Sequence, residues 1–323
     1  MISLELEYLA KTNNLIKNKL SLLHQHAHDD PENISRAIAA YLCVSDSAKR
    51  VRPLICLYYH WLFQEDAPDS LLNIGVAAEF IHAASLLHDD VVDESSKRRG
   101  RSSANVIFGN AQAVLGGNFL LTQAFDLLRS FPRDFLDQAT IVIREMTLAA
   151  ILEISMRGQL DTSQNAWRQV ASGKTGILFS WCGFASAVNA GRPEQAMKLW
   201  QVGPHIGQVF QMADDLKDFS GDQNLKDICR DLRNRDPSLP ILLAADSNPK
   251  NFNIFKTKFS QAELDDQEVN YLRDLIFESG AIDKTYKLMH DKLELIIKML
   301  YDFGDSRGRI FLEKWALELI SLR

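Results

Sequence analysis

Cysteine is scarce in this chain. Four cysteines, Cys43, Cys56, Cys182 and Cys229, are scattered over 323 residues. None forms a C-x-x-C pair, which excludes a zinc knuckle and a disulfide-stapled fold and fits a reducing compartment. Long apolar runs are missing too: no window reaches ~18 consecutive apolar residues, so no transmembrane helix is predicted. The N-terminal MISLELEYLAKTNNLIKNKL lacks a basic stretch followed by an apolar one, so it does not read as a signal peptide. A cytoplasmic location is expected. Basic residues are outnumbered, 36 Lys and Arg against 42 Asp and Glu, for a net charge of -6. That balance lacks the basic footprint of a nucleic-acid binder. Alternating β-branched runs, Ser/Gly-rich linkers, low-complexity tracts and solenoid repeats are absent as well.

What remains is helical periodicity. Ile74, Val76, Ala77, Phe80, Ile81, Ala84 and Leu87 recur three and four apart within 71–95. Similar patterns cover roughly 3–25, 34–44, 50–64, 110–130, 133–157, 164–190, 194–219, 260–279, 282–303 and 308–322. Pro31-Glu32 and Pro193-Glu194 suit first helical turns, where proline loses no hydrogen bond. Gly203, Pro204 and Gly207 predict an interrupted or kinked helix before residue 214. The chain reads as one all-α domain over 1–323, a single large bundle of ten or more helices.

Charge clusters break this apolar pattern. "LLHDDVVDESSKRRG" carries Asp89, Asp90 and Asp93, which a helix would hold within about 100° of arc. Clustered carboxylates repel, and burying them is costly unless a cation neutralises them. Magnesium suits such a site, because it takes one or two carboxylates and completes its shell with water and phosphates. One such triad is most simply a solvated acidic face. "FQMADDLKDFSGD", however, repeats the spacing at Asp214, Asp215 and Asp218. Two triads predict two facing helices that hold metal and a shared polyanion, for which a diphosphate fits. Basic groups support this reading: Lys49, Arg50 and Arg52 in "SAKRVRP", Arg98 and Arg99, and Lys174 with Thr175 in "SGKTG". Arginine grips phosphate oxygens bidentately, and lysine acts as a point charge.

These two stretches resemble the first and second aspartate-rich motifs of the trans-isoprenyl diphosphate synthases, and most of all the long-chain, octaprenyl-type polyprenyl diphosphate synthases. The resemblance runs from "AKRVRP" near residue 48 to "SLPILLA" near residue 244. It implies an isoprenoid-synthase-type helical bundle around a central cavity, usually a homodimer, with a heteromer as the alternative. The implied reaction is magnesium-dependent head-to-tail (1'-4) condensation of isopentenyl diphosphate with an allylic diphosphate, farnesyl or geranyl. Three magnesium ions per site are implied with substrate bound. Asp89, Asp90, Asp93, Asp214, Asp215 and Asp218 match metal-binding positions. Arg98, Lys174, Thr175 and Gln211 match contacts to the allylic diphosphate. Lys49, Arg52, His82 and Arg99 match the isopentenyl diphosphate site, and His88 is expected to be structural.

Ala84 and Ser85 are small residues one turn before the first triad, where the product tail would grow. They predict a product of C20 or longer, with Ile81 or deeper residues as the floor. Close helix packing would explain the same small residues.

Several positions depart from the family pattern. Ser47 and Ala48 stand where a glycine pair is usual, and Asn118 where an aspartate is usual. The segment "LKDICRDLRNRDPSLP" is shortened and puts Asp236 where a lysine is expected, which predicts repulsion of diphosphate. Lys226 and Arg235 are the available substitutes. Two other readings therefore stay open: a weakly active or regulatory subunit of a heteromeric synthase, and a class I terpene synthase. A terpene synthase would not need the second diphosphate site of Lys49, Arg52, His82 and Arg99.

Overall fold

Burial of apolar surface organises the helices, on one face for most of them and nearly all round for the central one. The computed structural model describes residues 2–21, 30–44, 48–98, 100–161, 163–219 and 229–320. These fall into two compact units, Met1–Thr140 with Cys182–Met197, and Ile141–Trp181 with Lys198–Arg323. In chain order the helices are α1 (Ile2–Leu20), α2 (Pro31–Cys43), α3 (Val51–His60), α4 (Asp69–Val92), α5 (Ala104–Phe108), α6 (Asn110–Leu128) and α7 (Arg133–Met156). They continue with α8 (Gln164–Val170), a π-helix (Ala171–Gly176), α9 (Ile177–Asn189), α10 (Pro193–Phe219), α11 (Arg230–Asn234) and α12 (Leu239–Ala245). The last four are α13 (Pro249–Phe259), α14 (Asp266–Glu278), α15 (Ala281–Tyr301) and α16 (Arg307–Ile320). The fold is all-α. Among the described residues, sheet is confined to two antiparallel two-residue strands, β1 (Lys97–Arg98) and β2 (Arg101–Ser102).

In the first unit, α4 is the axis. Its apolar residues are buried nearly all round, including Leu71, Ile74, Phe80 and Leu87. By length and composition α4 could cross a membrane, but 72% of its apolar window is buried inside the protein. Two glycines let α6 press closely on its neighbours. A Cβ at Gly116 would sit 2.5 Å from Ile38 Cγ2, and one at Gly117 would sit 2.2 Å from His88 Nε2. His88 Nε2 also lies 3.1 Å from the Val114 carbonyl oxygen, so this histidine is an interhelical packing residue, as expected.

In the second unit, Phe219, Leu232, Ile241, Phe255, Phe259, Leu272 and Ile276 form a continuous core. Phe179, Phe210 and Trp315 stack alongside one another, with ring centroids 5.4–5.8 Å apart. Helix α10 is not interrupted: it runs for 27 residues through Pro204. The flanking glycines serve close approach. A Cβ at Gly207 would lie 2.4 Å from Gly176 N, and one at Gly203 would lie 2.3 Å from Ser180 N. The backbone of α10 therefore packs directly on the π-helix and the first turn of α9.

Candidate active site

The first carboxylate cluster closes α4. Asp89 is half-buried, Asp90 is buried, and Asp93 is exposed as the C-cap, donating its N–H to the Asp89 carbonyl at 2.8 Å. Glu94 then turns the chain through left-handed backbone at φ 48°. Pairing of Lys97 with Ser102 and of Arg98 with Arg101 brings the chain back. Tyr41 of α2 braces this return: its hydroxyl donates to the Ser102 carbonyl at 2.7 Å, and its ring lies 4.6 Å from the Arg101 guanidinium. Arg98 then reaches Asp90, donating from Nε at 2.9 Å and Nη2 at 2.5 Å to the same oxygen, Oδ1. The triad thus divides: Asp90 anchors an arginine, while Asp89 and Asp93 share the less buried side of the last turn. Asp90 Oδ2 is buried and accepts no hydrogen bond.

Upstream on α4, Ile81 and Ala84 are buried, His82 is half-buried, and Ser85 donates to the His82 carbonyl at 2.9 Å. Lys49 is exposed and Arg52 half-buried at the entry to α3. Arg99 and Lys226 lie outside the described residues, as does Ser47.

The second cluster also divides, within the second unit. Asp214 is exposed and pairs with Lys217 at 3.2 Å. Asp215 is buried, with both oxygens engaged. Oδ2 accepts from Trp167 Nε1 at 3.0 Å and Leu239 N at 2.9 Å, and Oδ1 accepts from Gln211 Nε2 at 2.8 Å. Burial pushes its carboxyl up to about 7 against the pull of these three donors. Asp218 holds the start of α11, accepting from Arg230 N at 2.9 Å and Asp231 N at 3.0 Å. Three equivalent metal-facing carboxylates are therefore not what the fold presents. Helix geometry shares out the directions, and nearby donors take up the inward-facing groups.

Asp215 borders an open pocket of about 90 Å³, with Glu153, Trp167, Gln211, Asp231, Asp236 and Ser238 among its walls. Burial raises the carboxyl of Asp231 well above its usual range, and the Asp218, Asp215 and Asp236 charges add to this. Burial also raises Asp236, opposed by Arg157. Lys174, set by the π-helix, pairs with Glu153 at 2.5 Å, and Thr175 beside it is half-buried.

The expected repulsion from Asp236 is corrected by Arg157, whose Nε donates to Asp236 Oδ1 at 2.9 Å. Arg235, the other proposed substitute, takes left-handed backbone and donates from Nη1 to the Gln261 carbonyl at 2.7 Å. Trp167, Glu153 and Arg157 carry no local sequence signal, since their partners lie 48, 21 and 79 residues away.

The donors suit a hard cation: all are carboxylate oxygens, and Asp90 keeps a buried oxygen without a partner. Among the described residues, no three His, Cys, Asp or Glu side chains form a closed metal cage. An ion here would draw further ligands from water and substrate phosphates, as magnesium does.

Helices ending in clustered carboxylates, with cations held nearby, define an all-α enzyme of the isoprenoid-synthase type. The chain belongs to the polyprenyl synthetase family, whose model matches residues 32–276, and it is a prenyltransferase. It is 32% identical over 301 residues to the all-trans-nonaprenyl-diphosphate synthase (geranyl-diphosphate specific) of Rhodobacter capsulatus, covering 90% of this chain and 92% of that protein. It is 34% identical over 281 residues to the octaprenyl diphosphate synthase of Escherichia coli, covering 83% and 84%. Among solved structures, a Caulobacter crescentus polyprenyl synthase complexed with calcium and isoprenyl diphosphate superimposes with a TM-score of 0.87 at 31% identity, covering 100% of this chain and 97% of that one.

Proposed function

We propose that the protein is a trans-polyprenyl diphosphate synthase. It joins isopentenyl diphosphate to farnesyl or geranyl diphosphate head to tail, repeatedly, and makes a product of C20 or longer. The observation that carries this is the pair of aspartate clusters closing α4 and α10, in a chain whose relatives are named as octaprenyl and nonaprenyl synthases. One family model runs through both units, which supports a single catalytic domain; a homodimer is part of the same reading. The relatives favour a synthase over a regulatory subunit or a class I terpene synthase.

The chemistry needs an allylic diphosphate to ionise, the isopentenyl double bond to attack the allylic carbon, and a proton to leave. Lys174, Thr175, Gln211 and Arg98 would bind and orient the allylic diphosphate. Lys49, Arg52, His82 and Arg99 would hold the second diphosphate. Asp89, Asp90 through its open Oδ2, Asp93 and Asp214 would hold magnesium, three ions with substrate bound, which supplies neutralisation of charge on the leaving diphosphate. Asp90 Oδ1 also aims Arg98, and Asp215, its oxygens taken by protein donors, fixes Gln211. The apolar face of α4, with Ile81, Ala84 and Ser85, would keep water from the allylic carbon and leave room for the growing tail.

The test is elongation. Purified protein is incubated with magnesium, labelled isopentenyl diphosphate and farnesyl diphosphate, and the products are sized. Prenyl chains of C20 or longer are expected, falling at least about 100-fold in Asp89→Ala and Asp214→Ala. Absence of elongation by folded protein that binds magnesium and diphosphate would overturn the proposal.

A further inference from the structure

Arg50 is the least exposed of the three basic residues around the start of α3, with 4% of its side chain accessible. Its guanidinium joins three other helices. Nε donates to Asn13 Oδ1 of α1 at 2.8 Å, Nη2 to the Cys43 carbonyl ending α2 at 2.6 Å, and Nη1 to Glu79 Oε1 of α4 at 3.0 Å. Glu79 is itself buried. The Arg50 backbone is left-handed, φ 49° and ψ 43°, as the N-cap of α3. A non-glycine residue persists in that conformation only where its surroundings hold it there, and such strain concentrates at functional sites.

The geometry relates this clamp to its neighbours. Lys49 precedes the left-handed residue and Arg52 follows it by two. On α4, Gly75, Glu79 and His82 fall at helical spacings of four and three, so they share one face. A Cβ at Gly75 would come within 3.1 Å of Pro53 Cα, so α4 touches the first turn of α3 there. One turn on, Glu79 grips Arg50, and about one turn further lies His82. We propose that Arg50 is a positioning residue: its buried bond to Glu79 and its left-handed backbone hold Lys49 and Arg52 in fixed register with His82 around one diphosphate. Arg50 itself, buried and committed to three partners, does not touch substrate. This rests on Lys49, Arg52 and His82 binding isopentenyl diphosphate, as proposed above.

The experiment varies each substrate in turn for wild type, Arg50→Gly and Glu79→Gln, and measures isopentenyl diphosphate binding directly by calorimetry. Glycine accepts the backbone angle but removes the clamp. Glutamine keeps the shape and one acceptor but removes the charge. KM for isopentenyl diphosphate and its Kd should rise about tenfold in Arg50→Gly and roughly threefold in Glu79→Gln, since small displacements of binding groups are costly. KM for the allylic diphosphate should stay within about twofold of wild type, as expected for a local effect. An unchanged isopentenyl KM in folded Arg50→Gly, or both KM values rising together, would overturn the proposal. If Arg50→Gly does not fold, Glu79→Gln decides by the same split. Wild type that binds isopentenyl diphosphate but does not elongate it refutes the synthase reading alone, and the Kd comparison then judges the clamp. Wild type that does neither overturns both.

Discussion

Gly207→Ala tests whether backbone contact between α10 and the π-helix sets Lys174, the lysine proposed to bind the allylic diphosphate. The added methyl carbon would lie 2.4 Å from Gly176 N, 2.5 Å from Ala171 O and 2.5 Å from Gly176 Cα. Ordinary contacts are ~3.5–4.0 Å, so the two segments must part by about 1 Å. All three atoms are backbone, so no side chain can swing aside. Overpacking of this kind costs about 1–3 kcal/mol, and rigid surroundings place it at the upper end. At roughly 2–4 °C per kcal/mol, Tm should fall by about 6–12 °C. The π-helix that moves carries Lys174 and Thr175. A displacement of that size at an orienting group reduces turnover by about 100-fold. Thermal unfolding followed by circular dichroism, with steady-state elongation at varied allylic diphosphate, reads both effects. Gly304→Ala is the comparison. Its φ is +73° with nothing within 4 Å of the new carbon. It should lose about 1–2 kcal/mol from left-handed strain, with catalysis unchanged. A Gly207→Ala protein with wild-type Tm and wild-type turnover would refute the reasoning, because the contact would then carry neither packing nor position.

Three further outcomes follow from separate parts of the molecule. The four cysteines are all buried and unpaired by disulfides, so a thiol reagent should react slowly with native protein and titrate all four in denaturant; rapid native labelling would contradict this burial. His205 has its pKa held below the usual 6.5 by burial and by Lys292, whose ammonium lies 3.4 Å from Nδ1. The unfolded chain therefore binds that proton more readily, and stability from this site falls as pH drops below about 6.5. Tm of wild type minus Tm of His205→Gln should decrease between pH 7 and 5, and parallel curves would exclude the effect. Arg157→Gln should destabilise by roughly 1 kcal/mol, screened because the pair is partly exposed, while adding Asp236→Asn should recover most of it; strict additivity of the two single variants in the double would show no coupling.

The long helices are legible because most bury one face, so that a spacing of three and four survives over many turns, and α4 stands out as an apolar run of helical length. Shorter elements leave no such trace. Helices α11 to α13 span 5, 7 and 11 residues. LPILLAA reads as an apolar run without period, and the two-residue strands β1 and β2 are too short to alternate. The stretch around Pro204 is legible only in part, for a different reason. The proline's cost is local and visible in sequence, whereas the flanking glycines answer to backbone atoms near residues 171–180, which sequence does not locate. The aspartate clusters were legible as chemistry, because like charges on an apolar helix demand a compensating partner. Which oxygen faces which partner was not, because that depends on donors arriving from elsewhere. Arg98 returns to Asp90 only through a turn at Glu94, and Trp167 reaches Asp215 from another helix.

Asp236 shows the consequence for function. Read alone, a carboxylate in place of a lysine changes the local charge by two and argues for repulsion of diphosphate. Read with Arg157, which lies 79 residues earlier and 2.9 Å away, that charge belongs to an ion pair. The net charge of a binding pocket is a property of the fold. The altered segment therefore argues for a rearranged electrostatic site, and elongation by the unmodified chain is the expected result.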